Sequence, residues 1–145
     1  MVIVLQRVLS ASVDVDGTCV AKIDRGYLLL IGLAATDTSA EVKRLATEVF
    51  KVRLMEDEQG KMGRTLQDAH GEVLAVSQFT LLASFAKGNR PSFHDAARPE
   101  VAEPLFDQFV LELSVLIGQK IPTGVFGADM KVAIINDGPV TVVLT

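Results

Sequence analysis

Residues 2–9 form an apolar run broken only by Gln6 and Arg7, and the chain from its start alternates with the period of a strand. Residues 12–16 alternate again, Asp16-Gly17 supplies a hairpin turn, and residues 18–23 continue as the partner strand. After a turn at Asp24, Arg25 and Gly26, residues 27–33 are almost continuously apolar, as in a central strand covered on both faces. A helix is expected next. Thr38 and Glu41 read as a capping box, and Val42, Leu45, Ala46, Val49 and Phe50 recur at helical spacing on one face, so this helix lies on a sheet. Near Arg53 and Met55 the pattern turns extended; residues 57–60 read as a solvated turn, and residues 61–71, without periodicity, as a long connection.

Residues 74–82 read as another strand, followed by a loop rich in Gly, Asn and Pro over 84–93. Pro99 opens a second helix whose buried stripe is Leu105, Phe106, Phe109, Val110, Leu113 and Leu116, and Gly118 ends it. Two β-branched apolar runs, residues 130–135 and 139–144, flank Asn136-Asp137-Gly138 and read as a hairpin. Pro139 is irregular there, because it removes a ladder donor and belongs at the first residue of a strand or on an edge. The bond before it is also where a cis peptide costs least. No linker, repeat or low-complexity tract divides the chain, so residues 1–145 are expected to form one domain.

The 74–82 stretch carries the most pointed chemistry. Alternation puts Gln78 and Thr80 on one face and Ser77, Phe79 and Leu81 on the other. A buried hydroxyl or amide without a partner costs about 1–3 kcal/mol, so these groups are either paired within the sheet or kept free for a ligand. Arg7 poses a similar choice: it snorkels to an edge or pairs with a carboxylate. Lys87 and Arg90 make the 84–93 loop locally positive, which suits either a plain solvated loop or a phosphate contact.

Composition narrows the classes. With 145 residues, 49% of them hydrophobic and 22% charged, the chain is long enough to bury a core and unlike a disordered segment. No apolar run approaches the ~20 residues of a membrane-spanning helix, and no charged leader precedes an apolar block, so neither anchor nor secretion signal is expected. Cys19 is the one cysteine, which precludes an internal disulfide and fits a reducing cytoplasm. A net charge of −4 and a pI near 5.1 argue against coating long nucleic acid, but leave room for a partner touched only at its tip.

Familiar reaction machinery is missing from the sequence. His70 and His94 stand in loops without Cys or carboxylate at ligand spacing, so no metal is expected, and no Gly-rich phosphate loop or nucleophile elbow occurs. No cofactor is expected either. Thr80 could act as nucleophile only beside a base, and the sequence nominates none. Chemistry at this stretch would therefore lean on placement and backbone donors.

LQRV at 5–8, SQFTL at 77–81, RPSF at 90–93, FGADM at 126–130 and NDGPVT at 136–141, in this order across nearly all of the chain, resemble the D-aminoacyl-tRNA deacylase family. One departure is Gly63, after Lys61 and Met62, where such proteins often carry asparagine; it puts in doubt any role for that loop. The resemblance implies an α/β fold in which sheet layers pack face to face with the two main helices on one side. It implies a cytoplasmic homodimer that hydrolyses the ester joining a D-amino acid to the 3′ adenosine of tRNA, a chiral proofreading activity. Ser77, Gln78, Phe79 and Thr80 would then hold the ester and the terminal adenosine, with Phe126 a further contact for the adenosine. Gly138 and Pro139 would form a cis pair that enters the partner's pocket as a chirality filter, braced by Arg7. Lys87 and Arg90 would supply the few phosphate contacts.

A filter that works by refusing an L side chain has nothing to refuse in glycine, so glycyl-tRNA, including glycine mischarged on tRNA-Ala, is expected to be cleaved as well. Two other classes compete: a catalytically silent dimeric module that grips the tRNA 3′ end or a nucleotide, and a small-molecule hydrolase or ligand-binding protein with no nucleic-acid partner. Thr80 and a water assisted by the substrate's 2′-hydroxyl stay open as the attacking group.

Overall fold

A computed structural model describes residues 1–145. Its sheet is organised around one long strand, β1 (Val2–Val15). One edge of β1 is shared: β3 (Gly26–Gly32) pairs antiparallel with its first half, from Val2↔Gly32 to Val8↔Gly26, and β2 (Thr18–Ile23) with its second half. The other edge pairs antiparallel with β7 (Lys131–Leu144), from Ile3↔Leu144 to Asp14↔Lys131. Beyond β3 lies β6 (Glu72–Ser77), parallel to it. Between them in sequence come α1 (Ser39–Lys51) and the small hairpin β4 (Met55–Glu56) and β5 (Met62–Arg64). Helix α2 (Pro99–Ile117) precedes β7. No helix is long and apolar enough to cross a membrane.

The turn between β1 and β2 follows from its residues. Asp16 and Gly17 both take positive φ, 49° and 77°, the backbone that a two-residue hairpin demands and that Asp-Gly adopts readily. Helix α1 buries Val42, Leu45, Ala46 and Val49, and α2 buries Ala102, Phe106, Phe109 and Leu113; both stripes close on Ile3, Leu5, Leu29 and Ile31 of the sheet. The second face of the sheet is also covered, but by the sheet itself. Val8, Ala11 and Val13 of β1 with Ala21 and Ile23 of β2 pack against Leu28, Leu74 and Val76. The two sheet layers expected from the sequence are thus halves of one continuous bent sheet, with the helices on the other side.

Four local expectations are corrected. Thr38 caps α1 through no side-chain hydrogen bond, and the Glu41 carboxylate, instead of reaching back toward Thr38, accepts from Arg44 Nη2 at 2.7 Å; that bond holds the Glu41 carboxyl below its usual range. The terminal hairpin does not form: residues 131–144 are one strand, since both halves find their partner in the same long β1. Strand β6 stops at Ser77, and residues 79–82 make a 3-10 turn. In α2, Leu116 falls off the buried stripe and is exposed.

Tyr27 of β3 is fully buried, and no hydrogen-bond partner of normal geometry reaches its hydroxyl. Burial pushes the phenol up to about 12, against smaller opposing pulls from the Leu54 backbone and the Arg7 charge. A folded-state value above the unfolded one means that the protonated phenol favours the fold. Its stabilisation is complete below pH 10 and is lost as pH rises to about 12, by about 2–3 kcal/mol at that limit. Tyr27→Phe is therefore expected to flatten this part of the stability profile in urea melts at pH 9 to 12. At neutral pH it should raise stability by about 1 kcal/mol, because an unpartnered buried hydroxyl is removed. A variant that keeps the wild-type slope would contradict this account.

Candidate active site

The parallel ladder of β3 and β6 ends with Ile31↔Ser77 and one further bond, from Gln78 N–H to the Ile31 carbonyl at 2.7 Å. Gln78 then leaves the strand with φ −143° and ψ 77°. The turn that follows fits because Gly32 has no side chain: a Cβ there would lie 3.0 Å from the Gln78 carbonyl oxygen and 3.1 Å from Leu81 Cβ. Strand alternation therefore does not govern residues 78–81. Ser77 and Gln78 are half-buried while Phe79 and Thr80 are exposed, so the desolvation penalty expected for a buried polar strand does not arise.

Two features of this turn bear on chemistry. The N–H groups of Phe79 and Thr80 have no acceptor within the chain, whereas Leu81 and Ala83 bond back to Gln78 and Thr80 carbonyls at 3.2 and 3.1 Å. The Thr80 hydroxyl accepts from Gln78 Nε2, an amide that cannot serve as a base.

A cavity of about 550 Å³ opens beside the turn. Ser77, Gln78 and Phe79 form one side, and Phe93, Phe126 and Met130 line it elsewhere. Phe79 and Phe93 meet edge to face at 4.9 Å, and Phe126 leans on Phe106 of α2 at 6.3 Å between ring centroids. The lining is mainly apolar and aromatic, with Arg98 and Asp129 its two charged members. Such a slot suits a flat ring with a polar tail.

Of the residues singled out from the sequence, Ser77, Gln78, Phe79 and Phe126 meet in this cavity, and Thr80 lies on the adjoining turn outside its lining. Gly138, Pro139 and Arg7 are not part of that lining. Lys87 and Arg90 are exposed on a separate loop closed by the Ser84 and Ser92 backbone pairing at 2.8 and 2.9 Å. Gly63 sits in β5, where a Cβ would come within 3.2 Å of Asp57 Oδ2. Sequence reasoning missed Phe93 and Arg98 as lining residues. Phe93 lies within the RPSF motif at 90–93, and Arg98 immediately precedes the proline that opens α2.

The second candidate region is a bulge in β7. Gln6 pairs with Thr141 and Val8 with Asn136, so Asp137, Gly138, Pro139 and Val140 stand opposite the single residue Arg7. The Gly138-Pro139 peptide is cis, and Gly138 has φ 127°; both residues are exposed. Arg7 is only 3% exposed and is neutralised by what surrounds it. Nη1 donates to the Leu54 carbonyl at 2.7 Å, Nε to the Asp137 carbonyl at 3.2 Å, and Nη2 to Glu56 Oε1 at 3.2 Å. The Asp137 carboxylate lies 3.3 Å from Nε as well. Of the two alternatives for an arginine in an apolar strand, pairing is the one realised.

A family model described as D-Tyr-tRNA(Tyr) deacylase matches residues 4–145. The D-aminoacyl-tRNA deacylase of Dechloromonas aromatica is 54% identical over 144 residues, 99% of this chain and 96% of that protein. The proteins of the same name from Cytophaga hutchinsonii and Opitutus terrae are 51% identical over 144 residues and 53% over 141, covering 99% and 97% of this chain and 96% and 94% of theirs. Among solved structures, the c-Myc DNA Unwinding Element Binding Protein superposes with a TM-score of 0.92 at 40% identity, over 100% of this chain and 98% of that one. A probable eukaryotic D-amino acid tRNA deacylase superposes with a TM-score of 0.87 over 99% and 97%; at 16% identity that likeness speaks for the fold alone.

Proposed function

The chain belongs to the D-Tyr-tRNA(Tyr) deacylase family and is a hydrolase, and from that premise we propose that it cleaves the ester of D-aminoacyl-tRNA, releasing free D-amino acid and tRNA. Residues 1–145 act as one domain, in the cytoplasm where tRNA is charged. The observation that carries the reading is the apolar, aromatic-lined cavity beside Ser77, Gln78 and Phe79, with two unclaimed N–H donors at its edge. The terminal adenosine occupies the aromatic slot, against Phe126, and the scissile carbonyl lies toward the turn. Its developing oxyanion is met by the N–H groups of Phe79 and Thr80, donors already in place before reaction. Lys87 and Arg90 reach phosphates further along the acceptor end, a few contacts that an acidic protein can make.

Selection against L substrates is assigned to Gly138 and Pro139. They stand exposed on the β7 bulge and outside their own chain's cavity, so the filter for each pocket comes from a second copy of the chain. Strand β7 has β1 as its one partner strand, and Ile135 and Val143 on β7 and Leu9 on β1 are more than half exposed. A long strand edge bearing apolar side chains is an association surface, which supports a homodimer. Main-chain oxygens placed near the substrate α-carbon reject an L side chain by clash and by loss of their hydration, and leave D substrates and glycine untouched.

The test is ester loss from matched D- and L-tyrosyl-tRNA and from glycyl-tRNA. Selective loss of the D and glycyl esters is expected; protection without loss points to a silent tRNA-end binder, and indifference to all three removes the tRNA reading. Within the same assay Thr80→Ala is expected to keep turnover within about tenfold of wild type, because its hydroxyl faces an amide and no base. A loss of several orders of magnitude would instead make Thr80 the nucleophile.

A further inference from the structure

The β7 bulge is held by more than Arg7. Four charged side chains from four parts of the fold meet around it: Arg7 of β1, Glu56 of β4, Arg25 of the β2–β3 turn and Asp137 of the bulge itself. They form a line in which signs alternate. Glu56 Oε1 lies 3.2 Å from Arg7 Nη2, Arg7 Nε 3.3 Å from Asp137 Oδ2, and Asp137 Oδ2 4.0 Å from Arg25 Nε. Arg7 is buried and Asp137 half-buried, while Glu56 and Arg25 are 44% and 46% exposed.

This order has a mechanical consequence. Arg7 Nε reaches both the carboxylate and the backbone carbonyl of Asp137, the residue next to Gly138, and Arg7 Nη2 would lie 3.4 Å from a Cβ on Gly138. The place of the guanidinium therefore sets the place of the bulge. That place is a balance: Glu56 draws Arg7 from one end of the line, and Arg25 shares the Asp137 carboxylate from the other. An ion-paired line of this kind has coupled members, so losing either end changes how the remaining charges share the middle.

We infer that Glu56 and Arg25 are positioning residues which, through the Arg7 and Asp137 pair, hold the Gly138-Pro139 bulge where it discriminates D from L substrates. The inference rests on the filter role proposed above. Neither residue touches substrate. Each end pair is half-exposed, so its strength is limited to about 1 kcal/mol, or about fivefold in a rate ratio.

The test uses the full chain as wild type, Glu56→Gln, Arg25→Gln and the double variant, with D- and L-tyrosyl-tRNA made on the same tRNA so that effects on tRNA binding cancel in the ratio. Each single substitution is expected to lower the D to L rate ratio by about fivefold through faster L cleavage. The double variant should lose less than the product of the two, because both act through one middle pair. Thermal midpoints separate this from a general loss of structure, which would slow D and L cleavage in parallel with a fall in Tm. Parallel slowing of that kind, or ratios within about twofold of wild type in both single variants, would overturn the inference while leaving the deacylase reading intact. A wild-type protein that does not separate D from L would overturn both.

Discussion

Replacing Gly138 by alanine is expected to reduce discrimination between D- and L-tyrosyl-tRNA by about 100-fold while the protein stays folded. The added methyl would sit 2.8 Å from both the backbone N and Cγ2 of Val140, and 3.4 Å from Arg7 Nη2. Gly138 also holds φ 127°, a region that L residues adopt only at a cost of about 1–3 kcal/mol. Something must give, and the exposed bulge gives more readily than the buried Arg7 behind it. A displacement near 1 Å at a group that must approach the substrate closely can cost about 100-fold. Because the bulge is exposed, the penalty should fall on selection far more than on stability. Initial rates on the two esters, taken with the thermal midpoint, check this; an unchanged rate ratio in a folded Gly138→Ala protein would remove the bulge from the selecting machinery.

Gly26→Ala is expected to be the most damaging single methyl for the fold. A Cβ at this position would lie 1.9 Å from the Glu72 carbonyl oxygen and 2.7 Å from two further backbone atoms of Glu72. No side chain can rotate out of the way, because the obstacle is the neighbouring strand. Gly26 and Glu72 are paired at the head of the β3 and β6 ladder, and that ladder runs on to Ile31 and Ser77 at the cavity. Forcing the strands apart at one end strains the register that places Ser77 at the other. A cost of about 3 kcal/mol is expected, lowering Tm by roughly 10 °C for a chain of this length. A thermal or urea melt measures it, and a wild-type midpoint would show that the two strands part without cost.

The helices were legible from the chain because each carries its own evidence. Val42, Leu45, Ala46 and Val49, like Phe106, Phe109 and Leu113, recur at a period that only a helix can turn to one side, and they are buried as that period requires. Asp16-Gly17 declared its hairpin for the same reason, since the backbone it needs is a property of those two residues. The lining of the candidate site was legible in part. Ser77, Gln78, Phe79 and Phe126 were singled out and share one cavity, whereas Phe93 and Arg98 were not, since a loop residue shows no periodicity to say which way it faces.

Local sequence thus determined the helices, the first hairpin, the apolar strands and the motifs that gather at the cavity and at the bulge. Tertiary structure alone decided three things. The strand expected over 74–82 ends at Ser77 because its neighbour β3 ends at Gly32, whose missing side chain lets Leu81 fold across it. Asp137-Gly138 became a bulge rather than a turn because both flanking runs find the same partner, β1, and leave Arg7 to face four residues. The two β layers proved to be one bent sheet. In each case the deciding contact lies tens of residues away along the chain, and strand ends, registers and bulges are set by the partner strand, which no local pattern encodes.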